Sequence, residues 1–189
     1  MDRRALLTSF VISSVTVFAA MTAVALAETA VTPEVSPPGD IPDSQVFITF
    51  TSPDGFSIKV PEGWARQDGA HETVFADKYN RIVLLARDLP QALDLAYAKS
   101  ALVPEIEAQG RAVTIIGVKE VALKSGKAIE IAYDANSEPN DVTGKQVRQE
   151  NERFYYAKSG KLVALSLTAP KGADNVDQWK LISTSFRWK

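Results

Sequence analysis

The sequence predicts an α+β domain built on a mostly antiparallel sheet. Strand patterns, in which apolar and polar residues alternate, recur along most of the chain. Only two segments have the pattern of a helix, and they do not alternate regularly with the strands as helices do in a parallel α/β sheet. The chain has 189 residues, of which 46% are hydrophobic. It is therefore long enough for one domain with a single core.

The first 27 residues have the pattern of a secretory signal peptide. Arg3 and Arg4 precede an uncharged stretch that ends in the small-residue motif Ala25-Leu26-Ala27. This pattern predicts export to the periplasm or the extracellular space, with cleavage before Glu28 and no stable membrane insertion afterwards. The paired arginines also resemble a twin-arginine signal. The alternative is a retained anchor, because residues 5–27 are just long enough to span a bilayer.

The mature chain divides into a short linker and a single globular domain. Residues 28–44 contain four prolines and few apolar residues, a composition that predicts an extended Pro-rich linker. The globular domain is expected to cover residues 45–189. Its predicted strands lie at residues 46–50, 56–60, 73–76, 82–86, 113–121, 128–133, 148–157 and 162–168. The Gly-containing tripeptides at residues 125–127 and 159–161 are predicted to form hairpin turns.

Two helices complete the expected fold. The first covers residues 91–109, with a break at Pro104 and a C-terminal cap at Gly110. The second follows an N-cap at residue 174 or 175. Its apolar residues recur at helical spacing and should form one stripe that covers the core. These residues are Val176, Trp179, Ile182 and Phe186.

Composition excludes several kinds of chemistry. The chain has no cysteine, which rules out disulfides, zinc–thiolate sites and a cysteine nucleophile. A net charge of −2 lacks the positive charge typical of a nucleic-acid-binding protein. The single histidine, His71, lies in a polar segment, and the chain has no serine-nucleophile elbow or zinc-protease motif. We therefore expect no catalytic residues, no metal and no other cofactor.

The C-terminal part of the chain contains a candidate interaction surface. Residues 145–189 contain nine basic and four acidic residues, whereas the preceding part of the mature chain is acidic. The candidate surface consists of Arg148, Arg153, Tyr155, Lys158 and Lys161. These residues offer positive charge and an aromatic ring to an acidic partner or an anionic head group. Because the sequence does not determine the order of the strands, a scattered arrangement of these charges is equally compatible with it.

Motifs at both ends of the domain resemble those of a known family. Phe56-x-Ile58-x-Val60-Pro61-x-Gly63-Trp64 opens it, and an aromatic-rich strand, the Ser159-Gly160-Lys161 turn, a further strand and a helix with Trp179 close it. This pattern resembles PsbP-like domains over residues 45–189. The resemblance implies an α/β/α sandwich around an antiparallel sheet and a non-enzymatic role in binding proteins.

The expected function is therefore that of an exported, non-catalytic PsbP-like domain that binds another, unidentified envelope protein and no nucleic acid. A carrier of a small ligand or lipid is one alternative, and it requires a sizeable apolar cavity between helix and sheet. A hydrolase that uses His71 is the other, and it requires a cleft around that residue.

Overall fold

The structure is a computed structural model that describes residues 28–189. The predicted signal peptide and the alternative membrane anchor both concern residues 1–27 and lie outside the described residues. Between residues 28 and 189, no helix is long and apolar enough to cross a membrane.

Ten strands and three short α-helices make up the described part of the chain. The strands are β1 (Phe47–Ser52), β2 (Phe56–Pro61), β3 (Ala65–Asp68), β4 (Glu72–Ala76), β5 (Arg81–Asp88), β6 (Arg111–Leu123), β7 (Gly126–Asn136), β8 (Arg148–Lys158), β9 (Lys161–Pro170) and β10 (Arg187–Trp188). The helices are α1 (Leu95–Tyr97), α2 (Val103–Gln109) and α3 (Val176–Thr184), and a π-helical turn (Ala98–Leu102) joins α1 to α2.

The strands form two antiparallel sheets. The large sheet has the order β3-β4-β5-β9-β8-β7-β6, and the small sheet has the order β1-β2-β10. Helices α1 and α2 pack on one face of the large sheet, whereas α3 and the small sheet cover the other face. The predicted α+β fold, an α/β/α sandwich around a mostly antiparallel sheet, is confirmed. The small sheet lies in the same layer as α3.

Side-chain alternation along β8 supplies both halves of the core. Phe154 and Tyr156 point to the face that α3 covers and belong to the same core cluster as Trp179 of α3. Tyr155, between them in sequence, points to the opposite face and packs with Ile106 of α2, as expected for the period of two in a strand. The two-residue turn Ser159-Gly160 joins β8 to β9 as predicted, and both of its residues have positive φ, 50° and 77°.

Helix α3 buries most of the predicted apolar stripe. Trp179 and Ile182 are buried, and so is Phe186, which lies just beyond the end of the helix. Val176 is 73% exposed, so its assignment to the core was wrong. As the first residue of α3, it stands at the open edge of a groove instead of over the packed sheet.

The first helical segment continues through Pro104, where a break was predicted, and is irregular only in the π-helical turn before that residue. It begins at Leu95, later than predicted, because the side chain of Asp94 caps it by accepting a hydrogen bond from the Tyr97 amide at 2.7 Å. The π-helical turn ends at Leu102, and Pro104 is the second residue of α2. In the first turn of an α-helix, proline is tolerated because its missing N–H is not needed for an intrahelical hydrogen bond. Gly110 follows the helix, as predicted.

The segment predicted as a linker lies against the domain. Residues 28–44 contain no helix or strand, but Ile41 is buried in the core. The Ile41 amide donates to Asn175 Oδ1 at 2.7 Å, and the Val31 amide donates to Asn136 Oδ1 at 3.0 Å. The buried side chain of Ile41 and the side-chain oxygens of Asn136 and Asn175 hold the segment in place. The average composition of residues 28–44 does not reveal these contacts.

Candidate functional site

The structure places two members of the predicted interaction surface in the interior. Tyr155 is buried beneath α2. Arg148 is also buried, and its guanidinium donates to the Ala112 carbonyl at 2.7 Å and to Thr114 Oγ1 and Asn136 Oδ1, both at 3.0 Å. These two residues therefore do not belong to an exposed surface. Arg148 instead satisfies polar groups where β6 is irregular.

Of the other three members, only Arg153 lies near Tyr155, on the same face of β8. Arg153 is half-buried on the α2 side of the sheet, whereas Lys158 and Lys161 are exposed beside the β8–β9 turn. Lys161 also pairs with Asp88 at 2.6 Å. Arg148 and Lys158 occupy opposite ends of an eleven-residue strand, roughly 30 Å apart. The five residues consequently form no single basic surface.

His71 lies in a small cleft, the feature on which the hydrolase alternative depends. Its Nδ1 is 3.1 Å from Asp54 Oδ1, and the cleft of about 240 Å³ also has Asp88 and Lys161 in its wall. The side chain of His71 is 69% exposed to solvent. No serine, threonine or cysteine is among the described residues that line the cleft, so it contains no hydroxyl or thiol nucleophile for a histidine to activate.

A more distinctive site lies between the start of α3 and β6. This α3–β6 groove has a volume of about 270 Å³. Its wall includes apolar residues from α3 and β6 and acidic residues from β7 and β8. Its lining includes Ile116, Ala132, Asp134, Glu150, Glu152 and Val176.

A β-bulge aims Ile116 at the groove. In the β6–β7 pairing, Ile115 faces Tyr133 and Gly117 faces Ala132, so Ile116 has no partner. Such an extra residue bends the strand and redirects its side chain. Ile116 is 63% exposed. With Val176 on the facing side, the groove is flanked by two exposed apolar side chains.

The floor of the groove is acidic. Glu152 lies directly across from Ala132, and Glu150 lies across from Asp134 on the neighbouring strand. Glu150 and Glu152 are two residues apart, so both project from the same face of β8. The methyl side chain of Ala132 fills little space, and it leaves room above the floor beside these carboxylates.

Only part of this negative charge is neutralised. Lys171 pairs with Asp134, and Lys119 pairs with Glu130, the next acidic residue along β7, at 2.7 Å. Among residues 28–189, no ion pair involves Glu150 or Glu152. The groove therefore presents two carboxylates outside any of these ion pairs, while Lys171, which also lines the groove near Glu150, is paired with Asp134.

Burial changes the acidity of both carboxylates. It raises the pKa of Glu152 to about 6, and the neighbouring charge of Glu130 raises it further while Lys119 opposes the shift. Burial also raises the pKa of Glu150, opposed by a hydrogen bond from the Gly172 backbone amide and by Lys171 and assisted by the charge of Asp134. At neutral pH Glu152 is ionised in surroundings that disfavour its charge. A cationic group in the groove would relieve that cost.

The carboxylates do not form a metal site. The described residues contain no group of three or more His, Cys, Asp or Glu side chains placed to hold a metal ion. The sequence analysis missed this site, although the spacing of Glu150 and Glu152 within a predicted strand is a signal that could have indicated it. What the sequence did not reveal is the bulge at Ile116 and the position of α3, which together create the groove.

Comparison with known proteins identifies the fold. No protein-family model and no curated protein sequence matches the chain. The cyanobacterial PsbP (CyanoP) of Synechocystis has a similar structure, with a TM-score of 0.55 and 16% identity over 80% of this chain and 98% of that chain. The Ran-binding protein Mog1p of Saccharomyces cerevisiae has a TM-score of 0.52 and 12% identity over 77% of this chain and 96% of that chain. The chain therefore has the PsbP-like fold, as the motifs at both ends of its domain predict.

Proposed function

We propose that this protein is an exported, non-catalytic binding domain that holds a cationic, apolar segment of another envelope protein in the α3–β6 groove. The observation that carries the proposal is the pair of unneutralised carboxylates, Glu150 and Glu152, between the exposed apolar side chains of Ile116 and Val176. Each of these features favours the same kind of partner.

The charge in the groove selects for a lysine or arginine. Glu152 is partly buried beside Glu130 and Glu150, and its pKa of about 6 reflects the cost of ionising it there. A basic side chain of the partner would offset that cost and would form a hydrogen-bonded ion pair shielded from water. An acidic segment would be repelled. The groove thus discriminates between partners by charge.

The apolar flanks favour hydrophobic residues next to the basic one. Exposed apolar side chains that border a polar depression are typical of protein-binding surfaces. A volume of about 270 Å³ is slightly below the range of about 300–1,000 Å³ that is typical of small-molecule pockets. It suits one or two anchoring side chains better than a lipid or a large ligand.

The fold and the N-terminal sequence support the same proposal. Mog1p, which has this fold, is named as a Ran-binding protein, so a domain of this architecture binds another protein. Residues 1–27 have the pattern of a signal peptide, which is why we place the partner in the cell envelope.

A peptide titration tests the proposed binding. The purified exported protein is titrated with a short synthetic peptide that alternates leucine and lysine, and backbone amide resonances are followed by NMR. We expect saturable shifts at Ile116, Ala132 and Val176. A peptide in which glutamate replaces lysine should cause none.

Substitutions then separate the groove from general surface charge. The double variant Glu150→Gln/Glu152→Gln should weaken binding of the lysine peptide about tenfold or more. The matched control Glu62→Gln/Glu107→Gln removes two exposed carboxylates elsewhere and should leave the affinity unchanged. Equal binding of the two peptides, or equal affinity of the groove variant and the wild type, would refute the proposal.

A further inference from the structure

We propose that a second cavity, beneath the C-terminal end of α2, binds a small organic monocarboxylate through Arg153 and Asn151. This cavity, here called the donor pocket, has a volume of about 300 Å³. It lies on the face of the large sheet opposite to the α3–β6 groove, and the inference does not depend on the proposed function.

Side chains alternate between the two faces of β8, and those on one face line the donor pocket. Asn151 and Arg153 are two residues apart and share the face of the sheet on which α2 packs, whereas Glu150 and Glu152 point to the other face. Tyr133 lies across from Asn151 on β7, and all three side chains line the donor pocket.

Buried hydrogen-bond donors without partners are concentrated here. Within the described residues, four buried side-chain atoms lack a hydrogen-bond partner: Arg111 Nε, Asn151 Nδ2, Arg153 Nε and the Tyr155 hydroxyl. The first three belong to residues that line the donor pocket. Tyr155 lines a smaller adjoining cavity of about 130 Å³, which Arg153 also lines. Because buried polar groups are nearly always paired, this concentration indicates that an acceptor-rich ligand belongs in the donor pocket.

Asn151 is the most informative of these donors. It is only 7% exposed, and its Oδ1 accepts a hydrogen bond from Thr168 Oγ1 at 2.7 Å. With its oxygen occupied, the amide offers Nδ2 as a donor. Leaving such a buried N–H without an acceptor destabilises the fold, and a ligand oxygen would remove that cost.

The charge around the donor pocket favours a single negative charge. Arg111 is paired with Glu28 at 2.7 Å and with Glu138 at 3.5 Å. Arg153 takes part in no ion pair of the described residues, and its guanidinium lies 5.8 Å from the centre of the Tyr133 ring. One unneutralised guanidinium balances one carboxylate, whereas a dianion would be repelled by Glu28 and Glu138 close by.

The shape of the ligand follows from the remaining lining. A carboxylate is planar and matches the parallel N–H groups of a guanidinium. Ile106, Ala135 and the Tyr133 ring add apolar surface, which suits a small hydrocarbon or aromatic body attached to the carboxylate.

The test uses the purified exported protein and four probes: benzoate, its neutral analogue benzamide, acetate and inorganic phosphate. Amide resonances are followed by NMR up to about 20 mM probe, which covers millimolar dissociation constants. We expect saturable shifts with benzoate at residues 106–111, Ala135, Gln149 and Arg153, which do not line the α3–β6 groove. Shifts should be weaker with acetate and absent with benzamide. Arg153→Gln should weaken benzoate binding at least tenfold, and the control Arg66→Gln, on the edge strand β3, should not.

Several results would overturn the inference. Equal binding of benzoate and benzamide would remove the role of the carboxylate, and this comparison needs no variant. Binding of phosphate without binding of either carboxylate would contradict the assigned ligand class. No saturable shift with any probe, shifts confined to the α3–β6 groove, or unchanged benzoate affinity in Arg153→Gln would each contradict the donor pocket as the site.

Discussion

The phenol ring of Tyr156 stacks on the ring of Phe186, with centroids 3.9 Å apart and planes inclined by only 6°. The Tyr156 hydroxyl also donates to the Ser183 carbonyl oxygen at 2.9 Å. Both rings are fully buried. A residue of β8 therefore holds the end of α3 and the segment after it against the large sheet.

The hydroxyl and the ring of Tyr156 should contribute separately to stability. Tyr156→Phe keeps the stacking but leaves the Ser183 carbonyl without this donor, so we expect it to lower the free energy of unfolding by about 1–2 kcal/mol. Tyr156→Ala also removes the ring and should cost about 3–5 kcal/mol. Urea unfolding measures both. If Tyr156→Phe were as stable as the wild type, the hydrogen bond would contribute nothing.

Truncation along α3 should distinguish its buried side from its exposed edge. Trp179 is 6% exposed and belongs to the core, so Trp179→Ala should destabilise the protein by about 3–5 kcal/mol. Val176→Ala, three residues earlier on the exposed edge, should change stability by less than about 0.5 kcal/mol. Similar denaturation midpoints for the two variants would show that α3 is not a principal cover of the core.

Arg148 should behave as a structural residue. Arg148→Met removes hydrogen bonds to Ala112, Thr114 and Asn136 and leaves buried acceptors unpaired. We expect a loss of about 3 kcal/mol in the free energy of unfolding. Lys158→Met, at the exposed end of the same strand, should change it by less than about 0.5 kcal/mol. An Arg148→Met protein as stable as the wild type would contradict the structural role of Arg148.

The raised pKa of Glu152 predicts a pH dependence of stability. The folded state binds the Glu152 proton more tightly than the unfolded chain, because its pKa rises from the ordinary 4.5 to about 6 on folding. The contribution of this group to stability is therefore largest below pH 4.5 and is lost as the pH rises to about 6.

Glu152→Gln carries no charge at any pH, so it isolates this effect. It should be more stable than the wild type above pH 6, and the difference should shrink as the pH falls. Chemical denaturation across this range measures both proteins, with the exposed Glu107→Gln as the control. A stability difference that does not vary with pH would contradict the assignment of the raised pKa to Glu152.

Export predicts a defined mature N-terminus. The Ala25-Leu26-Ala27 motif places signal cleavage just before Glu28. N-terminal sequencing of the protein recovered from the envelope should therefore begin at Glu28 or within a few residues of it. Recovery of chains that still begin at Met1 in washed membranes would favour the retained anchor.

The sequence predicts the long strands and α3 well because their apolar residues have a clear period. The strand prediction at residues 82–86 falls within Arg81–Asp88 of the structure, and Trp179 and Ile182 lie on the buried side of α3. Strands β3 and β10 were missed. β3 is polar and fully exposed, and β10 has only two residues, so neither has an alternating pattern to detect.

The functional surfaces were harder to predict because they depend on distant contacts. Arg148 is buried because acceptors from β6 and β7 surround it, whereas its charge alone suggested an exposed position. The bulge at Ile116 breaks the alternation of β6, so that Ile115 and Val118 both pack toward α2. No local pattern predicts that change of face.

Photo-crosslinking in the producing cells tests the central claim, that the α3–β6 groove binds another envelope protein, most directly. A photoreactive amino acid is placed at position 176, or at position 142 as a control, since Val142 is 92% exposed in the β7–β8 loop away from the groove. We predict a discrete protein adduct from position 176 that disappears in the Glu150→Gln/Glu152→Gln background, and no such adduct from position 142. Absence of an adduct from position 176, or an adduct that persists without the two carboxylates, would contradict the account.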